Sequence, residues 1–282
     1  MTLSNVRSVI MGCVLATMIA CSTNAAETAT GFAGFMAPDN TPQVFAPGVI
    51  STDSYEFAVT FTPDMSEMYL TRRTDPGPNQ IVVAGITSEG IQAPVPASFS
   101  MKGGQFEPCI APDGEAIYFG DGDKIVVSRK VDGHWSTTEE LPDEVNSGFA
   151  MAICVDANGD FYFTGSDGLM VVRNEGNGYH AAESVDPHFT RAAGGSAHGY
   201  IAPAGDCLVF DSQGRGDAKG QADLYVSFRA EGGGWTEPRN LEALNSEGTE
   251  MCASVSPDGR FLFFSRDGDI WWVDAGVLEL YR

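Results

Sequence analysis

A repeated turn is the feature of this sequence that most constrains its fold. Each copy has an apolar run, then a Pro-Asp-Gly turn or a variant of it, then a second apolar and aromatic run, as at 252–264. Taking Met65, Gly114, Gly159, Gly205 and Gly259 as equivalent points gives spacings of 49, 45, 46 and 54 residues. Periods of about 40 to 50 residues are typical of propeller blades. The sequence therefore predicts five copies of one structural unit.

Each unit contains enough sequence for four strands. Proline fixes one dihedral angle of the turn and glycine accepts a positive one, so the first two runs are predicted to form a hairpin. A third apolar run follows, for example at 123–129, and a more polar fourth run closes the unit, for example at 237–241. With 33 glycines and 15 prolines in 282 residues, short strands are favoured over long helices. We expect an all-β chain of four-stranded antiparallel blades.

The last copy lacks its fourth strand. After Asp269–Val273 there is only a short tail, whereas residues 42–51, before the first copy, resemble the fourth strand at 238–246. The N-terminal strand is therefore predicted to complete the last blade, which closes the ring and leaves no exposed sheet edge. We predict a single β-propeller over residues 41–282, with five blades and with six as the alternative.

The repeat resembles a known one. Ser256-Pro257-Asp258-Gly259 and the Leu-Phe-Phe run after it, followed by Asp269-Ile270-Trp271, are similar to the WD40-like (PD40) repeat of the TolB-like propeller family. The resemblance covers roughly residues 42–276. It implies a propeller fold and an envelope location, often with a lipid anchor. It says little about function, because the matched residues are turn and core residues. TolB itself has six such blades and an additional N-terminal domain, and for that domain there is no room here.

The N-terminus has the pattern of a bacterial export signal. Arg7 precedes an apolar stretch from Val9 to Ala20, which as a helix spans about 18 Å and is too short for a permanent membrane anchor. The stretch ends in Met18-Ile19-Ala20-Cys21-Ser22, which resembles a lipobox. We expect a signal peptide at 1–20, lipid modification at Cys21, outer-membrane sorting and a flexible tether at 21–40. The alternative is a secreted or soluble periplasmic protein, cut near the alanines at 25 and 26.

The chain is strongly acidic. It carries 38 acidic and 16 basic side chains, a net charge of -22, and removal of residues 1–20 takes away Arg7 and leaves 15 basic residues, a net of -23. Such a charge argues against nucleic acid as a partner and leaves a lipid chain as the only membrane link. Because 43% of the residues are hydrophobic, the chain can nevertheless bury a full core.

Four cysteines remain after the predicted signal peptide and Cys21, namely Cys109, Cys154, Cys207 and Cys252. An even number in an oxidising compartment permits two disulfides. Each cysteine nevertheless lies inside an apolar run that is predicted to be a strand. We therefore favour buried free cysteines over disulfides.

One group of polar residues is a candidate site. Counting back seven or five residues from each turn proline leads to the funnel, the end of the channel where the innermost strands begin, and selects Glu56, Glu107, His198 and Glu250. These residues could hold a divalent cation with oxygen and nitrogen ligands. Opposed carboxylates could instead hydrolyse a glycosidic bond, as in five-bladed glycosidases. The structural alternative is that they cap neighbouring blades through hydrogen bonds.

No residue pattern for an established catalytic mechanism is present, so no catalytic residue is assigned. We expect a monomeric envelope propeller that serves as a rigid binding or scaffold module for a protein, peptide or glycan. A glycan-active hydrolase or lyase that uses the funnel carboxylates, and a divalent-metal-binding sensor, are the alternatives.

Overall fold

The protein folds into five antiparallel sheets arranged around one axis. The computed structural model describes residues 31–176 and 178–282, and Gly31–Arg282 is one compact unit. The innermost strands of the five sheets contact one another in a closed ring. Among the described residues, no helix combines the length and the hydropathy needed to cross a membrane. The predicted signal peptide and Cys21 lie outside the described residues.

The sheets are the blades of a propeller, which we number 1 to 5 along the chain. In chain order the strands are β1 Gln43–Val44, β2 Tyr55–Phe61, β3 Glu67–Arg73, β4 Asn79–Thr87, β5 Gly90–Ile91, β6 Val95–Pro96, β7 Gln105–Ile110, β8 Ala116–Asp121, β9 Lys124–Val131, β10 His134–Trp135, β11 Glu139–Glu140, β12 Ala150–Val155, β13 Phe161–Gly165, β14 Gly168–Val172, β15 Glu183–Ser184, β16 Ser196–Ile201, β17 Cys207–Ser212, β18 Asp223–Phe228, β19 Arg239–Asn240, β20 Glu250–Val255, β21 Phe261–Arg266 and β22 Asp269–Asp274. Helix α1 spans Asp143–Asn146, and 3-10 helices span Pro187–Phe189, Arg191–Ala193 and Ala275–Tyr281.

The N-terminal strand closes the ring, as the sequence predicts. The fifth sheet has the order β1, β22, β21, β20, and Gln43 and Val44 pair with Trp272 and Trp271. The five-blade count, the four-stranded antiparallel blades and the closure are therefore confirmed, with one additional two-residue strand in blade 1 (β5) and in blade 2 (β10). The residues that the structure describes form no sixth blade.

Aromatic side chains fix this closure. Phe45 is fully buried, with its ring centroid 5.0 Å from that of Phe263 and 5.1 Å from that of Trp272. Phe32, which lies in the segment where the sequence predicts a tether, is also buried and stacks on Phe45 at 6.0 Å. Ordered packing thus begins before residue 41, because an aromatic side chain completes the core between blades 5 and 1.

Each innermost strand contains a β-bulge at the same place, where its pairing register with the next strand shifts. One residue of every bulge has a φ angle between 47° and 55°, the left-handed region that residues other than glycine rarely adopt. We call these five residues the bulge ring: Ala58, Glu107, Ala152, His198 and Cys252. All five line the central channel.

A second set of equivalent residues lies two positions further along each innermost strand. We call it the second ring: Thr60, Cys109, Cys154, Tyr200 and Ser254. Four of its members, Thr60, Cys154, Tyr200 and Ser254, hydrogen-bond to the backbone of the next blade. The N–H of Ile110 donates to Thr60 Oγ1 at 3.1 Å, and the hydroxyl of Ser254 donates to the carbonyl oxygen of Val59 at 2.7 Å. The second ring thus joins neighbouring blades around the channel.

Candidate functional site

Three side chains of the bulge ring converge in the channel. Glu107, His198 and Cys252 come from blades 2, 4 and 5, and each offers a donor atom that lies within 4.8 Å of the other two. Nε2 of His198 is 3.2 Å from Oε1 of Glu107. Glu107 and Cys252 are buried, and the His198 side chain is 13% exposed. A carboxylate, an imidazole and a thiol therefore face one point.

Asp211 of β17 holds the histidine ring. Its carboxylate oxygens lie 2.8 and 3.1 Å from Nδ1 of His198. Oδ1 also accepts a hydrogen bond from the backbone N–H of Cys252 at 3.2 Å. A carboxylate that binds one nitrogen of a histidine fixes its orientation and leaves the other nitrogen for a ligand. Here the other nitrogen, Nε2, faces Glu107 and Cys252.

Backbone contacts hold the bulges in place. The N–H of Glu107 donates to Thr71 Oγ1 at 2.8 Å, and the N–H of His198 donates to Thr164 Oγ1 at 2.9 Å. Each threonine lies on the second strand of the preceding blade. Two of the three donor residues are thereby fixed by an adjacent blade as well as by their own, so the convergence is a property of the closed ring.

The surroundings of the site shift the pKa values of His198 and Cys252. Burial lowers the pKa of His198, but the nearby Asp211, Cys252 and Glu107 outweigh it, and the net shift is well above the usual value. Burial raises the pKa of the Cys252 thiol to about 11, although His198 opposes this. These pKa shifts favour a protonated imidazole at His198 and a neutral thiol at Cys252.

Glu107 has one oxygen without a partner. Oε2 is buried and accepts no hydrogen bond from any described residue, whereas Oε1 faces His198. A buried carboxylate oxygen without a hydrogen bond is costly, by about 1–3 kcal/mol or more for a charged group. Buried unsatisfied groups of this kind call for an explanation such as a ligand, an ion or a water molecule.

Cavities lie on both sides of the bulge ring. One, of about 340 Å³, extends from the bulge ring past the second ring to the turn prolines, and all five innermost strands line it. The other, of about 710 Å³, lies on the funnel side and is lined by blades 3 and 4, with Asp211 in its wall. His198 lines both cavities. A molecule in either cavity can therefore approach this residue.

The other two sequence-selected residues, Glu56 and Glu250, have different surroundings. Both are fully buried, and each forms an ion pair with the arginine directly opposite it on the adjacent strand: Arg72 at 2.9 Å and Arg266 at 2.7 Å. Each carboxylate also accepts hydrogen bonds from the backbone N–H and the hydroxyl of the residue four positions earlier. Neither belongs to the cluster of three donors. Their contacts are those of residues that hold loops and strands together.

Sequence reasoning did not select two residues of the site. Cys252 lies five positions before Pro257, just as Glu107 precedes Pro112 and His198 precedes Pro203, so the same count could have found it. Its place in an apolar run instead predicts a core thiol. Asp211 gave no comparable signal, because its contact with His198 depends on how β16 and β17 are paired around the bulge.

The four described cysteines are free. Cys109 and Cys154 line the 340 Å³ cavity, and their thiols donate to the backbone carbonyl oxygens of Ile110 and Ile201, each at 3.7 Å. The neighbouring Cys154 thiol, together with burial, raises the pKa of Cys109. Cys207 does not line the cavity, and burial raises its pKa to about 12.

Comparisons with known proteins give information about the fold only. No family model matches the sequence, and the search of curated proteins finds no match. The catalytic domain of a GH62 α-L-arabinofuranosidase from Coprinopsis cinerea superposes with a TM-score of 0.52 at 10% identity, over 83% of this chain and 97% of that one. A TolB candidate from Agrobacterium tumefaciens gives 0.49 at 17% identity, over 77% of each chain. A gluconolactonase from Xanthomonas campestris gives 0.48 at 11% identity, over 86% and 98%.

The fold and the channel together define the class. The chain is a five-bladed β-propeller with a carboxylate, an imidazole and a thiol converging in its central channel.

Proposed function

We propose that the protein is a metal-dependent binding module of the bacterial cell envelope. In this proposal Glu107, His198 and Cys252 hold one divalent cation of the zinc class, and a ligand in the channel completes its coordination. The observation that carries the proposal is the convergence of these three donor atoms within 4.8 Å of one another. The carboxylate of Asp211 behind His198 supports it, because such a contact is common behind metal-binding histidines.

The donor types favour zinc over calcium or magnesium. Zinc accepts thiolate, imidazole and carboxylate ligands, whereas calcium and magnesium prefer oxygen alone. A cation would also interact favourably with all three donor side chains of the site. It would replace the proton on Nε2 of His198, stabilise the Cys252 thiolate and give the unpaired Oε2 of Glu107 a partner.

Three protein ligands leave one position of a tetrahedral site open, which is the arrangement of zinc sites that bind exogenous ligands. The neighbouring cavity, of about 340 Å³, has the size of a small-molecule site. A protein, peptide or glycan partner could insert one terminal group into it. We therefore propose that the partner presents a single end group to the channel.

The sequence supports the location. The export signal at 1–20 and the lipobox around Cys21 favour an outer-membrane lipoprotein on the periplasmic side. With a net charge of -23 after removal of residues 1–20, the acidic body would be repelled by anionic lipid and nucleic acid. The lipid chain would then be the membrane link, and we propose that the propeller acts as a monomer.

The geometry favours metal binding over hydrolysis by paired carboxylates. Glu56 and Glu250 are engaged by arginines, and Asp211 is engaged by His198. Glu107 alone of the three selected glutamates keeps a carboxylate oxygen without a partner among the described residues. An activated cysteine nucleophile is also disfavoured, because such a thiol needs a lowered pKa and that of Cys252 is raised to about 11.

Cobalt(II) titration of the purified metal-free protein tests the proposal. We expect one Co²⁺ per chain with a thiolate-to-cobalt charge-transfer band, displacement by one Zn²⁺, and a higher melting temperature with Zn²⁺. Cys252→Ser should abolish the band. Loss of a residue that only supports a metal ligand weakens binding by at most about 100-fold. Because Glu107 and His198 are proposed as ligands themselves, Glu107→Gln and His198→Ala should each weaken binding by more than that.

Cys207→Ser is the matched control, because this thiol lies outside the cavity, and it should bind cobalt as the wild type does. A cobalt complex without the thiolate band, or full binding by His198→Ala, would overturn the proposal.

A further inference from the structure

The cavity of about 340 Å³ has an apolar wall between the bulge ring and the turn prolines. Of the described residues that line it, only Glu107 and His198 have a carboxylate or a basic side chain, and both belong to the cluster of three donors. The hydroxyls of Thr60, Tyr200 and Ser254 are hydrogen-bonded to the backbone. The wall therefore offers mostly carbon and sulfur to the channel, which an apolar group covers more favourably than water does.

The cavity reaches the protein surface at its other end. This end is lined by four exposed prolines of the hairpin turns, Pro63, Pro112, Pro203 and Pro257. In these four blades the turn proline follows the bulge residue by five positions, which at about 3.3 Å per residue is roughly 16 Å. A linear molecule can therefore enter at the turns and direct one end at the three donors.

The inner end of the cavity is negatively charged. Glu107 and Asp211 place two carboxylates beside the single imidazole of His198, so the net charge there is minus one even when the imidazole is protonated. A bound divalent cation leaves the same net charge, because Cys252 then adds a thiolate and two positive charges face three negative ones. A further anion at this end is disfavoured in both states.

The outer end adds negative charge. The exposed Asp64, Asp113 and Asp258 directly follow three of the prolines that line it. Asp258 forms an ion pair with Arg260 at 3.8 Å, and hydrogen bonds lower the pKa of Asp64 to about 2, so this carboxylate is ionised at neutral pH. A ligand that carries a carboxylate therefore meets like charges on entry as well as at the inner end.

The polar end of a ligand must suit two states of the site. Oε2 of Glu107 is buried without a hydrogen bond among the described residues, so in the metal-free protein it needs a donor. A bound zinc-class cation would instead need a lone pair for its open position. A hydroxyl group has both a donor and lone pairs and carries no charge, whereas an ammonium group has no lone pair.

We propose that the cavity binds a small uncharged aliphatic molecule with one hydroxyl end, which faces the cluster of three donors while the chain extends towards the turn prolines. The contact of the hydroxyl with a cation rests on the proposed function. The place of the chain does not, because it depends on the cavity wall alone. At about 340 Å³ the cavity is at the small end of the range for ligand sites, which suits a chain of several carbon atoms.

Calorimetric titration with the primary alcohols butanol, pentanol, hexanol and heptanol tests the inference. We expect the affinity to rise about fourfold with each methylene that enters the apolar cavity, in the metal-free and in the cobalt-loaded protein alike. An affinity that does not depend on chain length would overturn this inference, whether or not cobalt binds. A length dependence in a protein that does not bind cobalt would overturn the proposed function alone.

Charged molecules of the same length test the hydroxyl end. In the cobalt-loaded protein, hexanol should bind more tightly than hexanoate and hexylamine, and it should change the visible spectrum of the cobalt. Tighter binding of either charged molecule, or an unchanged spectrum, would overturn the assignment of the hydroxyl end.

A variant that fills the cavity tests where the chain lies. Cys109→Phe places a ring in the channel at a position whose thiol bonds within its own blade, to the carbonyl oxygen of Ile110, and should weaken hexanol binding by more than about 10-fold. Met36→Phe, at a side chain that is 87% exposed, is the matched control and should leave binding unchanged. Far-UV circular dichroism checks that each variant is folded, and the wild-type alcohol series tests the inference even if a variant does not fold. Undiminished hexanol binding by folded Cys109→Phe would overturn it.

Discussion

Nδ1 of His198 lies 2.8 Å from Oδ1 of Asp211, so the histidine can offer only Nε2 to the channel. Asp211→Asn keeps the size of the partner but removes its charge. We expect zinc affinity to fall by about 10- to 100-fold, compared at the alkaline limit where protons no longer compete for the imidazole. A competitive zinc chelator measures this. The exposed Asp123→Asn is the control, and an equal loss in that variant would contradict the role given to Asp211.

Glu56 and Glu250 should matter for stability and not for metal. Each is fully buried against an arginine, and Glu→Gln leaves that arginine without its counter-charge. We expect Glu250→Gln to lower the free energy of unfolding by about 3 kcal/mol, as is found when one partner of a buried ion pair is removed. Urea unfolding measures it, with the exposed Glu115→Gln as control. Unchanged stability with lost zinc binding would instead assign Glu250 to the site.

Ring closure should depend on the core around β1. Phe45 is fully buried between Phe263 and Trp272. Phe45→Ala should lower the free energy of unfolding by about 3–5 kcal/mol, because it leaves a cavity where the first strand meets the last blade. Met36→Ala, at a side chain that is 87% exposed, is the control and should change it by less than about 0.5 kcal/mol. Equal effects in denaturant unfolding would contradict this account.

The first hairpin turn contains an aspartate with a lowered pKa. Hydrogen bonds from the hydroxyls of Thr62 and Ser66, and from the backbone N–H of Ser66, lower the pKa of Asp64 to about 2. Since the folded pKa is depressed, the stabilisation is present above the unfolded value of 3.8 and is lost as pH falls from there through about 2. Ser66→Ala should raise the pKa towards 3.8 in an NMR titration. The exposed Ser88→Ala should not move it.

The architecture was predictable because its signals are local. Proline, aspartate and glycine at a turn act within four residues, so their spacing along the chain reports the blade count directly. Gly114, Gly159, Gly205 and Gly259 all have positive φ at this turn, and Met65 takes the same conformation in the first blade. The closure was predictable for a similar reason, since a missing strand at one end matched an extra one at the other.

Only part of the site could be predicted from the sequence, because the side chains that meet there depend on the pairing register between neighbouring strands. Counting from the turn prolines selected Glu107 and His198, which meet in the channel. The same counting could not show that Glu56 lies opposite Arg72, or Glu250 opposite Arg266, because a bulge displaces the pairing between those strands. Cys252 looks in sequence like a core thiol, since burial and donor function both place a cysteine in an apolar run.

The bulge ring has a consequence for how this channel can change. Five residues of four different types adopt nearly the same left-handed backbone conformation, so this conformation is imposed by the blade and tolerates alanine, glutamate, histidine and cysteine alike. The fold therefore does not require one particular side chain at any of these five positions. Ala58 and Ala152 occupy the two positions that carry no donor group. A single substitution at either one adds a functional group to the channel, so a propeller of this kind can acquire new chemistry without rebuilding its scaffold.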